Sequence, residues 1–211
     1  MQNDVKHGGD LLLLAAQANC SPEEILDLSV NLNPLGPPVG AFENYFRAFD
    51  MLSRYPEPRA QSLTALLSQK FNRLQSEIVA GNGSNELITL LPRALKPGRA
   101  VLVCPGYQEY AQACAVAGVA VQPFMLVKAR DFALDTAKLA QILEPGDLVM
   151  LGAPNNPTGQ MPAKAALLGL IEAHPKCRFF IDEAFMDFAG EEHSLIGNSL
   201  PNLIISRSFT K

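Results

Sequence analysis

The amino-acid sequence predicts an α/β fold in which a mostly parallel sheet is sandwiched by helices. Six short runs of apolar, β-branched and aromatic residues follow one another from residue 76 onward, and helical patterns separate most of them. Near-continuous apolar strands that alternate with helices are typical of a parallel sheet buried on both faces. The six strand-like runs are SEIVAG, RAVLVCPG, VAVQPFML, DLVMLGAP, CRFFIDEA and NLIISRS.

The 211 residues, of which 48% are hydrophobic, can form one sizeable core or one large domain with part of a second. The formal charge of -4 gives no basic surface, so we expect no nucleic-acid partner. Apolar runs all fall short of the ~20 residues that cross a bilayer, so we expect no membrane partner. The longest early run, LLLLAA, predicts a helix packed against a core rather than a signal peptide. Four cysteines without C-x-x-C spacing indicate free thiols in a reducing cytoplasm and no metal site.

The first part of the chain predicts helices interrupted by one extended segment. Ser21, Pro22 and Glu24 have the spacing of a capping box, in which the glutamate bonds back to the cap residue. Residues 31–38, NLNPLGPP, contain three prolines and a glycine, which exclude a helix. Helical patterns are predicted over residues 41–52, 59–71, 85–94, 108–117 and 163–173.

Glycine-rich and polar segments follow the predicted strands, at the place where ligands bind in parallel α/β sheets. The first segment, GNGSNE at residues 81–86, leads into a helix whose free N–H groups can bind a phosphate. A tight strand-to-helix connection explains the same pattern without a ligand. Tyr107 follows the next strand, where it either caps the core or stacks on a flat ligand.

Two further strand ends carry more specific side chains. Residues 154–159, PNNPTG, form a stiff loop that either places one asparagine amide against a ligand or folds its asparagines back onto the backbone. Asp182 directly follows apolar strand residues, and its buried carboxylate requires a cationic partner unless it caps a helix. Ser208 and Lys211 leave the last strand together, so their hydroxyl and amine can reach a phosphate and a carbonyl respectively.

Taken together, the order and spacing of these motifs resemble the large domain of the fold-type I pyridoxal-phosphate enzymes, the aspartate aminotransferase superfamily. The resemblance implies pyridoxal 5'-phosphate as the cofactor, held as a covalent aldimine on Lys211. It also implies that Asp182 keeps the ring nitrogen protonated, that Asn156 binds the phenolic oxygen, and that Tyr107 stacks on the ring. The implied phosphate-binding residues are Gly83, Ser84, Asn85 and Ser208.

The same resemblance implies a domain organisation and a partner. Residues 1–40 form an N-terminal segment that contributes to the substrate site, and residues 41–211 form the large cofactor-binding domain, ending at the Schiff-base Lys211. We expect the rest of this domain and a C-terminal small domain to be missing from this chain. Active sites in this family lie at a subunit interface, so we expect a homodimer, located in the cytoplasm.

The N-terminal motifs narrow the resemblance within the family. HGGD at residues 7–10 and LDLSVNLNPLGPP at residues 26–38 resemble the threonine-phosphate decarboxylases of cobalamin biosynthesis, and DEAFMDF and RSFTK fit the same branch. This resemblance implies a lyase that converts L-threonine O-3-phosphate into (R)-1-amino-2-propanol O-2-phosphate. Without the resemblance, His7 would be interpreted as part of a disordered terminus. The implied substrate-binding residues are His7, Gly8, Asn31 and Asn156.

Histidinol-phosphate aminotransferases share the motifs at the strand ends and are the closest competing interpretation. They usually carry tyrosine where Phe185 stands here, and the missing hydroxyl favours the decarboxylase branch. Two other classes remain open: a nucleotide-binding module that uses residues 81–86, and a scaffold that binds the cofactor without turnover. The first predicts no role for Lys211, whereas the second predicts a coloured but inactive protein.

Overall fold

The computed structural model describes residues 8–211 and shows two compact units. The first unit contains the described residues up to Asp50 together with Thr210 and Lys211, and the second unit extends from Met51 to Phe209. His7, one of the expected substrate-binding residues, lies outside the described part of the chain. The expected domain boundary after residue 40 concerns the complete enzyme and stays a prediction.

Helix α1, Leu11–Ala18, is the first regular element of the first unit. The Asp10 carboxylate accepts a hydrogen bond from the Leu13 amide at 3.0 Å and so caps the first turn. Only Ala15 of this helix is buried, and Leu12 is 76% exposed. The expectation that LLLLAA packs against a core is therefore wrong, because four successive leucines point to all sides of a helix and cannot share one face.

A short 3-10 helix, Pro22–Glu24, follows, and its Glu24 side chain bonds back to the cap residue as the predicted capping box requires. The Ser21 amide donates to the Glu24 carboxylate at 2.8 Å, and the Glu24 amide donates back to the Ser21 carbonyl at 3.1 Å. Residues 31–38 contain neither helix nor strand, as their prolines predict. The first unit therefore consists of short helical pieces joined by extended chain.

Five parallel strands form the sheet of the second unit, in the order β2-β1-β3-β4-β5. The central strand, β3, is buried along its whole length, as expected for a strand covered on both faces. These observations confirm the predicted α/β class with a parallel sheet. The strands are β1 Arg99–Cys104, β2 Ala120–Met125, β3 Leu148–Gly152, β4 Arg178–Asp182 and β5 Leu203–Ser206.

The helices from residue 41 onward are α2 Ala41–Arg47, α3 Gln61–Phe71, α4 Ser84–Leu95, α5 Glu109–Ala117, α6 Thr136–Ile142, α7 Lys164–Ala173 and α8 Met186–Ala189. All five predicted helices are confirmed, although the second half of the first is a run of 3-10 turns, Ala48–Ser53. Helices α4 and α5 pack on the sheet face that includes Ala100 and Leu102, whereas α6 and α7 pack on the face that includes Val101 and Val103. The alternation along β1 thus places helices on both faces of the sheet.

One of the six strand-like runs, SEIVAG at residues 76–81, does not join the sheet. A 3-10 turn, Gln75–Glu77, occupies its start, and the Glu77 carboxylate fixes this turn by accepting from the Leu74 amide at 3.0 Å. The residues between this turn and Gly81 have a strand-like composition, but they pair with none of the five strands of the described sheet. The run therefore leads directly into the glycine turn before α4.

Candidate active site

The carboxyl ends of three neighbouring strands meet in register at one edge of the sheet. Gly152 at the end of β3 pairs with Asp182 at the end of β4, and Asp182 pairs in turn with Ser206 at the end of β5. Because the strands are parallel, the segments that follow them emerge at the same edge. This edge is where the sequence predicted a ligand site.

Three hydrogen-bond donors converge on the Asp182 carboxylate, which is only 7% exposed. Its Oδ1 atom accepts from the Ser206 hydroxyl at 2.6 Å and from the Ala184 amide at 3.2 Å. Its Oδ2 atom accepts from the Tyr110 hydroxyl at 2.8 Å. Two carboxylate oxygens offer about four acceptor sites, so this arrangement leaves room for one further donor. The sequence identified Asp182 but neither of its two hydroxyl partners.

Tyr110 and Tyr107 form an aromatic wall beside this carboxylate. Tyr110 lies in α5, and its ring makes edge-on contacts with Tyr107 at 5.7 Å and with Phe180 of β4 at 6.1 Å. Burial, with the nearby charge of Asp182, raises the pKa of the Tyr110 phenol well above its ordinary value of 10.0, so this phenol is a neutral donor. Burial also raises the pKa of the half-buried Tyr107, with the charges of Glu109 and Asp182 adding to the effect.

A glycine turn precedes α4 and leaves the first helical N–H groups without a side-chain cap. Gly83 occupies the cap position with φ of +85°, a conformation that favours glycine. The Glu86 carboxylate fixes the turn by accepting a hydrogen bond from the main-chain N–H of Asn82 at 2.7 Å. The Asn85 side chain bonds the Glu109 carboxylate at 3.4 Å, which connects the start of α4 with the start of α5. The start of this twelve-residue helix is therefore suited to an anion.

The two asparagines of the PNNPTG loop have different surroundings. Asn155 is buried, and its side-chain amide donates to the Pro105 carbonyl at 3.0 Å and to the Thr158 hydroxyl at 2.8 Å. Its Oδ1 atom is buried without a hydrogen-bond partner among the described residues. Asn156 is half-buried, and within residues 8–211 its side chain forms no hydrogen bond. Asn155 thus holds the loop together, and the Asn156 amide is the one left for a ligand.

Glu183, directly after Asp182, is a buried acid that the sequence did not single out. Its side chain is fully buried and accepts hydrogen bonds from the Ser194 hydroxyl at 2.6 Å and from the Leu195 amide at 2.7 Å. Arg207 approaches the same carboxylate at 3.4 Å. Burial raises the pKa of the Glu183 carboxyl, although its two hydrogen bonds and the charge of Arg207 act in the opposite direction. The paired cation explains how an acid is kept inside the fold.

Arg207 lies between Ser206 and Ser208 in the segment that leaves β5. Besides Glu183, its guanidinium bonds Asp187 at 3.0 Å and Glu191 at 2.6 Å, and it lies 5.5 Å from the centre of the Phe71 ring. Its side chain is only 14% exposed. These contacts fix the start of the segment that continues through the half-buried Ser208.

We expect Arg207→Ala to lower the free energy of unfolding by about 2–3 kcal/mol, because the buried Glu183 carboxylate loses its cation. The loss should be larger at pH 8 than at pH 5, since at the lower pH the variant can bind a proton at Glu183. Urea unfolding at both pH values measures this difference. Arg178→Ala, an exposed arginine at the start of β4, is the matched control and should change stability by less than about 0.5 kcal/mol.

Gly8 and Asn31, two of the residues expected to bind substrate, belong to the first unit. A Cβ atom on Gly8 would collide with the main-chain oxygen of Ser29, and the Gly9 amide donates to the Ser29 hydroxyl at 2.9 Å. Gly8 and Gly9 therefore pack on the chain just before Asn31, which is exposed. Lys211 clusters with this unit, so the structure groups it with Gly8 and Asn31. The remaining expected site residues belong to the second unit.

The residues of the second unit fit a flat, phosphorylated, nitrogen-containing ring. The uncapped start of α4 suits the phosphate, and the half-buried Tyr107 suits the ring face. The acceptor site remaining on Asp182 suits a protonated ring nitrogen, and the Asn156 amide suits a ring oxygen. Pyridoxal 5'-phosphate has each of these groups. The roles of the individual residues stay predictions.

None of the helices within residues 8–211 is both long and apolar enough to span a membrane. In the same part of the chain, no group of three or more His, Cys, Asp or Glu side chains is placed to hold a metal ion.

Comparison with known proteins finds relatives along most of this chain. The family model of class I and II aminotransferases matches residues 23–211. Threonine-phosphate decarboxylase from Salmonella typhimurium is 34% identical over 97% of this chain and 57% of its own length. Histidinol-phosphate aminotransferase 2 from Ralstonia nicotianae is 35% identical over 94% of this chain and 54% of its own length.

Solved structures support the same relationship. The histidinol-phosphate aminotransferase from Clostridium acetobutylicum matches with a TM-score of 0.80 and 28% identity, over 89% of this chain and 56% of that one. The chain thus spans little more than half the length of each of these three relatives.

Proposed function

Because the chain belongs to the aminotransferase class I and II family, we propose that the complete enzyme decarboxylates L-threonine O-3-phosphate. The proposed product is (R)-1-amino-2-propanol O-2-phosphate, as in cobalamin biosynthesis. The cofactor is pyridoxal 5'-phosphate, on which this family depends. We further propose that the enzyme acts as a homodimer on this small phosphorylated amino acid.

Phe185 is the observation that carries the choice of decarboxylation. It follows Asp182 by three residues and precedes α8, where it is half-buried. Histidinol-phosphate aminotransferases, which the sequence resembles at the same strand ends, usually have tyrosine here. A phenyl ring cannot donate a hydrogen bond, so the phenolic oxygen of the cofactor has one donor fewer. Sequence identity does not separate the two activities, because the Salmonella decarboxylase is 34% identical and the Ralstonia aminotransferase 35% identical to this chain.

When bound, pyridoxal phosphate supplies an electron sink for a bond that breaks at the substrate Cα. Asp182 would hold the proton on the ring nitrogen, using the acceptor site that its three donors leave open. The turn at Gly83 and the Ser208 hydroxyl would bind the phosphate, and Tyr107 would exclude water from one ring face. These contacts orient the ring and keep its charge inside the protein.

Lys211 would hold the cofactor covalently through its Nζ atom, since this attachment requires a primary amine. The same Nζ atom would move a proton at the substrate Cα. Gly8 and Asn31, which share a compact unit with Lys211, would contact the phosphorylated substrate.

Transamination of the histidinol-phosphate type is the second candidate. The 35% identity to the Ralstonia aminotransferase favours it, and the two activities need the same cofactor-binding residues. They differ in whether the carboxylate or the hydrogen on Cα is held perpendicular to the cofactor ring. The substrate anchors decide this orientation, and so a substrate assay separates the two candidates.

We expect the complete enzyme, loaded with pyridoxal phosphate, to release carbon dioxide from L-threonine O-3-phosphate with an equal amount of amine product. The matched reaction contains histidinol phosphate and 2-oxoglutarate and is assayed for glutamate. We expect less than about one hundredth of the decarboxylation rate in that reaction, because the site is built to expose a different bond.

Other outcomes of this assay identify the competing classes. Glutamate formation without carbon dioxide contradicts decarboxylation and establishes the aminotransferase. A yellow protein inactive in both reactions indicates a scaffold that binds cofactor without turnover. A colourless protein that borohydride leaves unlabelled contradicts the assignment of the cofactor to this chain.

A further inference from the structure

Two hydroxyl groups from different elements hold the two oxygens of the Asp182 carboxylate. Tyr110 of α5 donates to Oδ2 at 2.8 Å, and Ser206 at the end of β5 donates to Oδ1 at 2.6 Å. Tyr110 is 2% exposed and Ser206 is 4% exposed, so water does not compete for either bond. The carboxylate is thus held from two sides.

The fold fixes the positions of both donors. The Tyr110 ring makes edge-on contacts with Phe180 and Tyr107, which restrict its rotation. Ser206 lies directly beside Asp182 in the β4–β5 ladder, so backbone pairing sets its distance. A buried donor that is already in place loses little freedom when its hydrogen bond forms. The orientation of the Asp182 carboxylate therefore depends on these two side chains.

We propose that Tyr110 and Ser206 are positioning residues that fix the Asp182 carboxylate so that its remaining acceptor site meets the ring nitrogen of the cofactor. This inference rests on the proposed contact between Asp182 and that nitrogen, but not on the reaction that follows. Neither hydroxyl needs to touch the cofactor. Each acts through Asp182, because a carboxylate that loses one donor can rotate about its Cβ–Cγ bond and turn its free acceptor away.

The test compares two cofactors that differ only at the ring nitrogen. In 1-deazapyridoxal 5'-phosphate a carbon atom replaces that nitrogen, so the analogue keeps the phosphate and aldehyde but cannot bond Asp182. The dissociation constants of both compounds are measured on the complete apoenzyme, and their ratio reports the Asp182 contact alone. We expect the native enzyme to prefer pyridoxal phosphate. Tyr110→Phe and Ser206→Ala should each lower this preference by about tenfold, because each loosens a charge-assisted contact.

Ser194→Ala is the matched control for these variants. Ser194 is also buried and also donates to a carboxylate, but its acceptor is Glu183 instead of Asp182. Its loss should leave the preference between the two cofactors unchanged. Thermal unfolding of all three variants shows that each protein is folded at the temperature of the binding assay.

The measured preference between the two cofactors either supports or overturns the positioning role of Tyr110 and Ser206. A lower preference in both test variants, with no change in Ser194→Ala, supports the inference even if the enzyme does not decarboxylate threonine phosphate. Equal weakening of both cofactors indicates a general structural role and overturns it, as does an unchanged preference. If the native enzyme binds both compounds equally, the contact between Asp182 and the ring nitrogen is itself contradicted.

Discussion

Lys211→Ala is expected to abolish covalent attachment of pyridoxal phosphate to the chain. Lys211 follows the half-buried Ser208 by three residues, on the segment that leaves the strand beside Asp182. Covalent attachment requires a primary amine, and alanine cannot supply one. After borohydride reduction, intact mass analysis should show one cofactor per native chain and none per variant chain. The variant should still bind the cofactor without a covalent bond, because the phosphate-binding turn and Asp182 are unchanged.

Lys138→Ala is the matched control for this experiment, since Lys138 is an exposed lysine of α6. That variant should retain one reducible cofactor per chain. Peptide mapping of the reduced native protein should place the label on Lys211. A label of native stoichiometry in Lys211→Ala would show that another amine holds the cofactor, and the proposed role of Lys211 would be lost.

The sequence was sufficient to predict the sheet and the edge at which the site lies. Strands such as β3 and β4 are buried on both faces. Such strands need apolar residues at nearly every position, and this run of apolar residues is easily recognised in the sequence. The polar segments that follow such strands converge because parallel strands end at the same edge of the sheet. Membership of the pyridoxal-phosphate family follows from the order of these segments, and the family match over residues 23–211 confirms it.

The contacts around Asp182 could not be predicted in the same way. Tyr110 is 72 residues from Asp182 along the chain, and in the sequence it is simply one more apolar position in a helix. Its role depends on how α5 packs on β4. The pairing of Glu183 with Arg207 likewise depends on β5 lying beside β4, and the two residues themselves do not show which strands are neighbours.

Two predictions made from local composition were wrong, because composition does not show which elements lie next to a segment in the fold. SEIVAG has the composition of a strand, but it pairs with none of the five strands of the described sheet. The leucines of α1 have the composition of a core helix, but Leu12, Leu13 and Leu14 are all exposed in the described chain. Burial and pairing are properties of the assembled fold, so a local pattern predicts them only when the partner element is also known.

Asp182→Ala is expected to lower turnover of the complete enzyme by about 10²- to 10³-fold while leaving the protein folded. The cofactor draws electrons from the reacting bond only while its ring nitrogen carries a proton, and alanine provides no negative charge to hold that proton. The variant also leaves the Tyr110 and Ser206 hydroxyls buried without their acceptor, which should cost about 2 kcal/mol of stability. Steady-state kinetics and urea unfolding measure the two effects separately.

Asp182→Asn separates the lost charge from the lost packing. Asparagine keeps the size of the side chain and one oxygen that can accept from Tyr110 or Ser206, so it should recover part of the stability. It carries no charge, so turnover should stay as low as in the alanine variant. Asp187→Asn, at an acid that is 47% exposed and pairs with Arg207, is the control and should keep native turnover within a few-fold. Both substitutions at residue 182 remove the negative charge, but only alanine also removes the hydrogen-bond acceptor. Native turnover in purified Asp182→Ala would therefore rule out a carboxylate that acts on the ring nitrogen.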